Sequence, residues 1–291
     1  MRRVDSGGCR HSVQDSVATG HCWRWSKRKV VMVCAVLRTQ LQSSIIGLAR
    51  MDRQIEPEWL DELPAGDSRA IRSRRDLRRV NAWMGNARVI AAASREAFGD
   101  RPPKQIVDLG AGDGTLMLRV ARRLFPRWRN VEVTLVDQHA IVSAETCRQF
   151  ETLSWRVQAI KANVLDWLAR LSISPVDLIA ANLFLHHFPE SSLARMMQLA
   201  AEWTDCFIAC EPRRCAAAQR ASRWLWLIGC SQVTCHDAVA SVRAGFNGKE
   251  LSALWPPNGA WQLQEKAAGW FGHCFVAQRF RGRRTSDDCD G

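Results

Sequence analysis

Between Ile106 and Thr115 the sequence reads IVDLGAGDGT, which sets Gly110, Gly112 and Gly114 at alternate positions behind an apolar run that ends in an aspartate, Asp108, and a leucine. Glycine accepts positive φ and has no Cβ, so a loop this bare lets a ligand lie against backbone. The dinucleotide fingerprint is G-x-G-x-x-G, whereas this loop is G-x-G-x-G with Asp108 before it and Asp113 inside it. Carboxylates at short range repel a pyrophosphate and attract a cation. A further acid, Asp137, closes the next apolar run, VEVTLVDQH, with Gln138 after it. A carboxylate at that position can accept both hydroxyls of a ribose.

A second group of residues could move a proton. DLIAANLFLHHFPESS carries Asn182 at the end of an apolar run, with His186 and His187 just beyond. Histidine titrates near neutral pH and suits a general base, although the pair could also pack at a helix start. His236, beside Asp237 in CSQVTCHDAVASVRAGF, is the second candidate base. Trp224, Trp226, Phe246 and Trp255 could line a greasy acceptor pocket or fill the core. Cys206, Cys210, Cys215, Cys230 and Cys235 crowd near His236 without a single C-x-x-C pair, so no metal site is expected. Cys206 and Cys210 read instead as part of a buried strand. Tyrosine is absent from the chain, which removes any mechanism built on a phenol side chain.

These residues need a scaffold that brings strand ends together. Short apolar runs at Gln105 to Leu109, Val131 to Val136, Arg156 to Lys161, Val176 to Ala181 and Cys206 to Cys210 read as strands. Helical patterns fit at Thr115 to Leu124, Ile141 to Phe150, Val164 to Leu171, Ser191 to Trp203 and Ala216 to Ile228. Such alternation predicts an α/β fold with a Rossmann-like, doubly wound, mainly parallel sheet. WQLQEKAAGWFGHCFVAQRF predicts a carboxy-terminal antiparallel hairpin on its edge. Residues 51 to 100 read as amino-terminal helices, with Pro57 near the first and Asp67 capping the second. Ile71, Leu77, Val80, Met84 and Ala87 mark the apolar face of that second stretch. Six arginines between Arg69 and Arg79 then fall on its other faces, as a solvated surface, a lid over an anionic substrate, or an RNA contact.

Of the net charge of +12, residues 1 to 50 hold +7, and the rest of the chain has only an ordinary basic excess. Those first 50 residues lack sustained apolar periodicity and read as a disordered or spurious extension, as do 285 to 291 as a tail. The run VVMVCAVL is far shorter than the roughly 20 residues a spanning helix needs. No membrane span, no secretion signal and a cytoplasmic location are expected. The oligomeric state is not legible in the sequence.

Loop, ribose acid and strand order together resemble the class I S-adenosylmethionine-dependent methyltransferases, over about Gln105 to Cys210, and residues 101 to 284 are read as that domain. S-adenosyl-L-methionine has no phosphate and carries an ammonium and a sulfonium, so acids around a bare loop suit it. The resemblance assigns Asp108, Gly110, Gly112, Asp113 and Gly114 to the methionine end, Asp137 and Gln138 to the ribose, and Asn163 with Val164 to the adenine. Asn163 stands where such enzymes often carry aspartate, and Asp166 reads as a helix-start acid. Asn182 completes the cofactor set. The LHH stretch resembles phenolic O-methyltransferases, in which the histidine is the base, and quinone-biosynthesis methyltransferases. It implies a small aromatic or polyketide-like acceptor methylated on oxygen or carbon. DNA is not an expected partner, because the Asp/Asn-Pro-Pro-aromatic and Pro-Cys motifs of nucleobase enzymes are missing from NLFL. RNA or protein methylation, a non-catalytic binding module and a nicotinamide-dependent reductase are the competing readings.

Overall fold

The computed structural model describes residues 51–280 except 65, 100, 140, 171–174 and 259–260. The expectations for residues 1–50 and 285–291 lie outside the described residues. Three helices come first: α1 (Trp59–Glu62), α2 (Ser68–Met84) and α3 (Asn86–Phe98). Asp67 caps α2 by accepting from the Arg69 amide, as its position predicts. Gly85, at φ 77°, ends that helix and starts the next, so the long apolar stretch becomes two helices.

The alternating unit then runs β1 (Gln105–Leu109), α4 (Thr115–Leu124), β2 (Val131–Asp137), α5 (Ala144–Glu151), β3 (Trp155–Lys161), α6 (Val164–Ala169) and β4 (Val176–Asn182). A 3-10 turn at Leu185–His187, α7 (Glu190–Trp203), β5 (Thr204–Pro212), α8 (Ala216–Arg223) and a second 3-10 turn at Leu225–Ile228 follow. The chain continues with α9 (Gln232–Ala244), α10 (Glu250–Leu254), β6 (Trp261–Ala268) and β7 (Gly272–Arg279). The sheet order is β3-β2-β1-β4-β5-β7-β6. Strands β1 to β5 are parallel, while β7 runs antiparallel to both β5 and β6. The doubly wound sheet with its terminal hairpin is therefore as the pattern predicts. The helix expected over Ala216 to Ile228 instead breaks at Trp224.

Side chains alternate across the sheet, so each strand feeds two cores. Val107, Ile179, Ala181, Phe207 and Phe275 pack with α6 and α7 on one face. Ile106, Leu135, Leu178 and Ile208 pack with α3, α4 and α5 on the other. Cys206 and Cys210 are buried in β5, as expected. Asp108 shares the parity of Ile106 and is the buried acid that interrupts an otherwise apolar strand. Ile71 departs from expectation, because it is 56% exposed, and the core-facing positions of α2 are Ala70, Ser73 and Asp76. Asp76 accepts from the Ser231 amide and the Thr234 hydroxyl, so a polar seam joins α2 to α9.

Candidate active site

The parallel strands end around a cavity of about 410 Å³. The glycine loop forms one wall. Gly110, Gly112 and Gly114 all hold positive φ, at 68°, 57° and 73°, which explains the alternate spacing. A Cβ on Gly110 would lie 2.2 Å from the Phe184 ring, whereas one on Gly112 would meet nothing within 4 Å. Gly110 is thus needed for packing, and Gly112 presents bare backbone. The loop is pinned by the Gly110 and Ala111 amides donating to the Val136 carbonyl and the Gly112 amide donating to Asp137 at 2.8 Å.

All but one of the residues expected to touch the cofactor border this cavity: Asp108, Gly110, Gly112, Asp113, Asp137, Gln138, Asn163, Val164 and Asn182. Gly114 does not, and a Cβ there would lie 2.8 Å from Leu135. Their states differ. Burial first, and the neighbouring Asp137 second, push the Asp108 carboxyl up to about 8. Asp137 accepts from the Gly112 and His139 amides, one on each oxygen, and each oxygen keeps a free lone pair. Asp113 is tied to Arg78 at 2.8 Å and accepts from the Thr115 amide at the start of α4. The Asn163 oxygen caps α6 by accepting from the Leu165 and Asp166 amides, and Asp166 is the first-turn acid. Asn182 accepts from Asn86 at 2.8 Å. The Asn81 side-chain oxygen, in a residue that borders the cavity, is buried without a partner. An orphaned acceptor in a cavity that also holds Asp108 and Asp137 fits a ligand that brings an ammonium donor.

His186 stands at the far end, buried between two carboxylates. Its Nδ1 lies 2.8 Å from Glu211 and its Nε2 3.3 Å from Glu58. Burial alone would lower its pKa, but the hydrogen bonds and charges of Glu211 and Glu58 outweigh that and raise it to about 9. His186 is therefore an imidazolium at neutral pH. Glu211 also accepts from the amides of Phe184 and Leu185, which fixes the 3-10 turn. Burial pushes the Glu58 carboxyl up, yet hydrogen bonds from His186 and Ser241 and the charge of His186 leave it lowered overall. Among the described residues, Glu58, His186 and His187 come nearest to a metal-ligand set, with ligand atoms within 4.8 Å of one another. The Glu58 and His186 atoms of that set are already engaged with each other.

The second candidate base stands elsewhere. His236 stacks on Trp59 at 3.8 Å, bonds Asp237 at 3.0 Å and does not border the cavity. Asp237 faces α1 and accepts from the Trp59 and Leu60 amides, capping that helix next to Glu58. Trp224 and Trp226 are exposed, Phe246 and Trp255 lie in the core, and none of the four borders the cavity. The apolar cavity wall comes instead from Leu60, Leu77, Leu116, Ile141, Phe184 and Phe188.

Two residues that hold His186 escaped the sequence reading. Glu211 had a signal, since it ends a strand as Asp108, Asp137 and Asn182 nearly do. Glu58 had none. It reaches His186 across 128 positions, because Arg53 donates to the His186 and Phe188 carbonyls and the Gln54 amide donates to the Arg243 carbonyl.

Residues 106–205 match the family described as "Methyltransferase domain". Those residues carry a methyltransferase domain. No curated protein matches the sequence. The methyltransferase fold recurs in the plantazolicin methyltransferase BpumL in complex with SAH, with TM-score 0.54, 10% identity and coverage of 74% of this chain and 92% of that one. The plantazolicin methyltransferase BamL, with a triazolic desmethylPZN analog and SAH, gives TM-score 0.54, 15% identity and coverage of 75% and 92%. An O-methyltransferase family protein from Burkholderia thailandensis gives TM-score 0.51 and 18% identity, with 75% of this chain but 62% of that one covered. At these identities the likeness concerns the fold, which by itself selects no acceptor.

Proposed function

We propose that this methyltransferase transfers the methyl group of S-adenosylmethionine to a hydroxyl of a small aromatic or polyketide-like acceptor. The observation that carries the reading is one cavity with two chemically different ends, acids and bare backbone at the first and the Glu58 and His186 pair at the second. The cofactor supplies a methyl group on a sulfonium. Asp108, Asn81 and the glycine loop receive its methionine end, Asp137 and Gln138 its ribose, and Asn163 with Val164 its adenine. The solved methyltransferases BpumL and BamL contain SAH, which agrees with this cofactor.

At the second end the chain's task is to orient the acceptor and take its proton. His186 was the expected base, but as an imidazolium it has no free lone pair. The proton acceptor at pH 7 is then the Glu58 carboxylate, with His186 and Glu211 behind it as positioning residues. His186 keeps Glu58 ionised, and Glu211 holds the imidazole by its Nδ1. As the carbon–sulfur bond breaks and the oxygen–carbon bond forms, the hydroxyl proton passes to Glu58. A Glu58→Gln variant should lower kcat by roughly 10² to 10⁴ while cofactor affinity changes little. The assay is labelled S-adenosylmethionine with a panel of phenols and hydroquinones. Wild-type label appearing only in RNA or protein overturns the small-molecule reading, and full activity of Glu58→Gln removes Glu58 from the chemistry.

A further inference from the structure

Away from the cavity, one part of the surface mixes large apolar and basic side chains. Four tryptophans project there, Trp83 at 40%, Trp224 at 49%, Trp226 at 61% and Trp270 at 51% exposure. Trp224 and Trp226 belong to RWLWLIG, which leaves α8 through the 3-10 turn Leu225–Ile228, and no residue of that turn is buried. A turn packed on a core hides its apolar side chains. This one leaves Trp-Leu-Trp-Leu-Ile facing outward in whole or in part.

Tertiary contacts tie the Trp224 and Trp226 turn and the Trp83 and Trp270 pair to the same two helices, α2 and α8. Just past the turn, the Ser231 amide bonds Asp76 in the middle of α2. Trp83, on the last turn of the same helix, stacks on Phe271 at 5.3 Å, and Phe271 contacts Trp270 at 6.5 Å. The Phe271 carbonyl accepts from Arg213, just before α8. The chain from Pro212 to His236 contains no acid, and its Arg220 and Arg223 are exposed. Arg79 lies on the same helix as Trp83, α2, its side chain 61% exposed and paired at 3.6 Å with the buried Asp76.

We propose that this face docks on an anionic lipid bilayer. Tryptophan settles at the boundary between hydrocarbon and headgroups, and arginines beside it reach lipid phosphates while their stems stay in apolar surroundings. Leucine and isoleucine decide between a bilayer and RNA. Both partners reward tryptophan and arginine, by stacking and charge, but only hydrocarbon rewards Leu225, Leu227 and Ile228. The attachment is peripheral, since no helix among the described residues is long and apolar enough to cross a membrane.

The test is vesicle flotation of the full chain, with phosphatidylcholine alone against equal parts phosphatidylcholine and phosphatidylglycerol. Binding is expected on the anionic vesicles, with a blue shift of tryptophan emission and weakening as salt rises. The double variant Trp224→Ala, Trp226→Ala should lower the bound fraction by roughly tenfold or more, since two large rings leave the interface. Arg220→Gln with Arg223→Gln should weaken anionic binding while leaving cofactor affinity and melting temperature intact, which guards against a folding defect. Failure of the wild type to float, or undiminished flotation of the tryptophan variant, overturns the proposal. So does single-stranded RNA binding that the same substitutions abolish while vesicles remain unbound.

Discussion

Asp108 gives a quantitative handle on cofactor recognition. With its carboxyl raised to about 8 by burial and then by Asp137, the ligand-free pocket holds a neutral acid at pH 7. A ligand with an ammonium and a sulfonium favours the carboxylate, so binding must expel that proton. The sign follows from linkage: affinity scales with the fraction of Asp108 already ionised, so it rises with pH and levels off near 8. That fraction is about one in a hundred at pH 6 and about one in four at pH 7.5 for a group titrating at about 8. S-adenosylmethionine affinity should therefore tighten roughly twentyfold between those values, about 1.8 kcal/mol. An amino group on the ligand itself titrates near pH 8. The rising limb below that value, compared with Asp108→Asn, isolates the protein's contribution. Calorimetry at each pH in two buffers of different ionisation enthalpy reads both the affinity and the proton released. Asp108→Asn should show a flat limb and no released proton. A flat limb in the wild type would refute the reasoning, because Asp108 would then be ionised before the ligand arrives.

Four further substitutions probe the frame of the site. His186→Gln leaves Glu58 and Glu211 buried without their shared cation and should cost about 3–5 kcal/mol at pH 6. Since the folded pKa of His186, about 9, lies above the ordinary 6.5, the wild-type advantage is full below 6.5 and fades as pH rises through 9. Denaturant unfolding at pH 6 and pH 10 checks this, and a gap that widens with pH contradicts the clasp. Gly110→Ala places a Cβ 2.2 Å from Phe184 at a φ of 68°, so the soluble variant should lose more than about tenfold in cofactor affinity; wild-type affinity would mean the loop yields freely. Asp237→Ala uncaps α1, should cost about 1 kcal/mol by thermal melting and should lower turnover through Glu58, whereas His236→Ala should leave turnover unchanged. Equal turnover in all three proteins would detach α1 from catalysis.

How far the sequence carries depends on how local the determinant is. The loop Gly110 to Gly114, the strand-end acids Asp108 and Asp137, and the β/α alternation are each set within a few residues. Backbone conformation at positive φ and hydrophobic period are local properties, so the fold and the glycine-loop wall of the cavity were legible together. The break at Trp224 and the exposure of Ile71 were not, because whether an apolar face is covered depends on what packs against it. The surroundings of His186 belong wholly to tertiary structure. His186 was visible, but its charge was not, since that comes from Glu58 and Glu211, at 128 and 25 positions' remove. A pKa is set by burial and by charges within a few ångströms, and only the folded chain decides which residues those are.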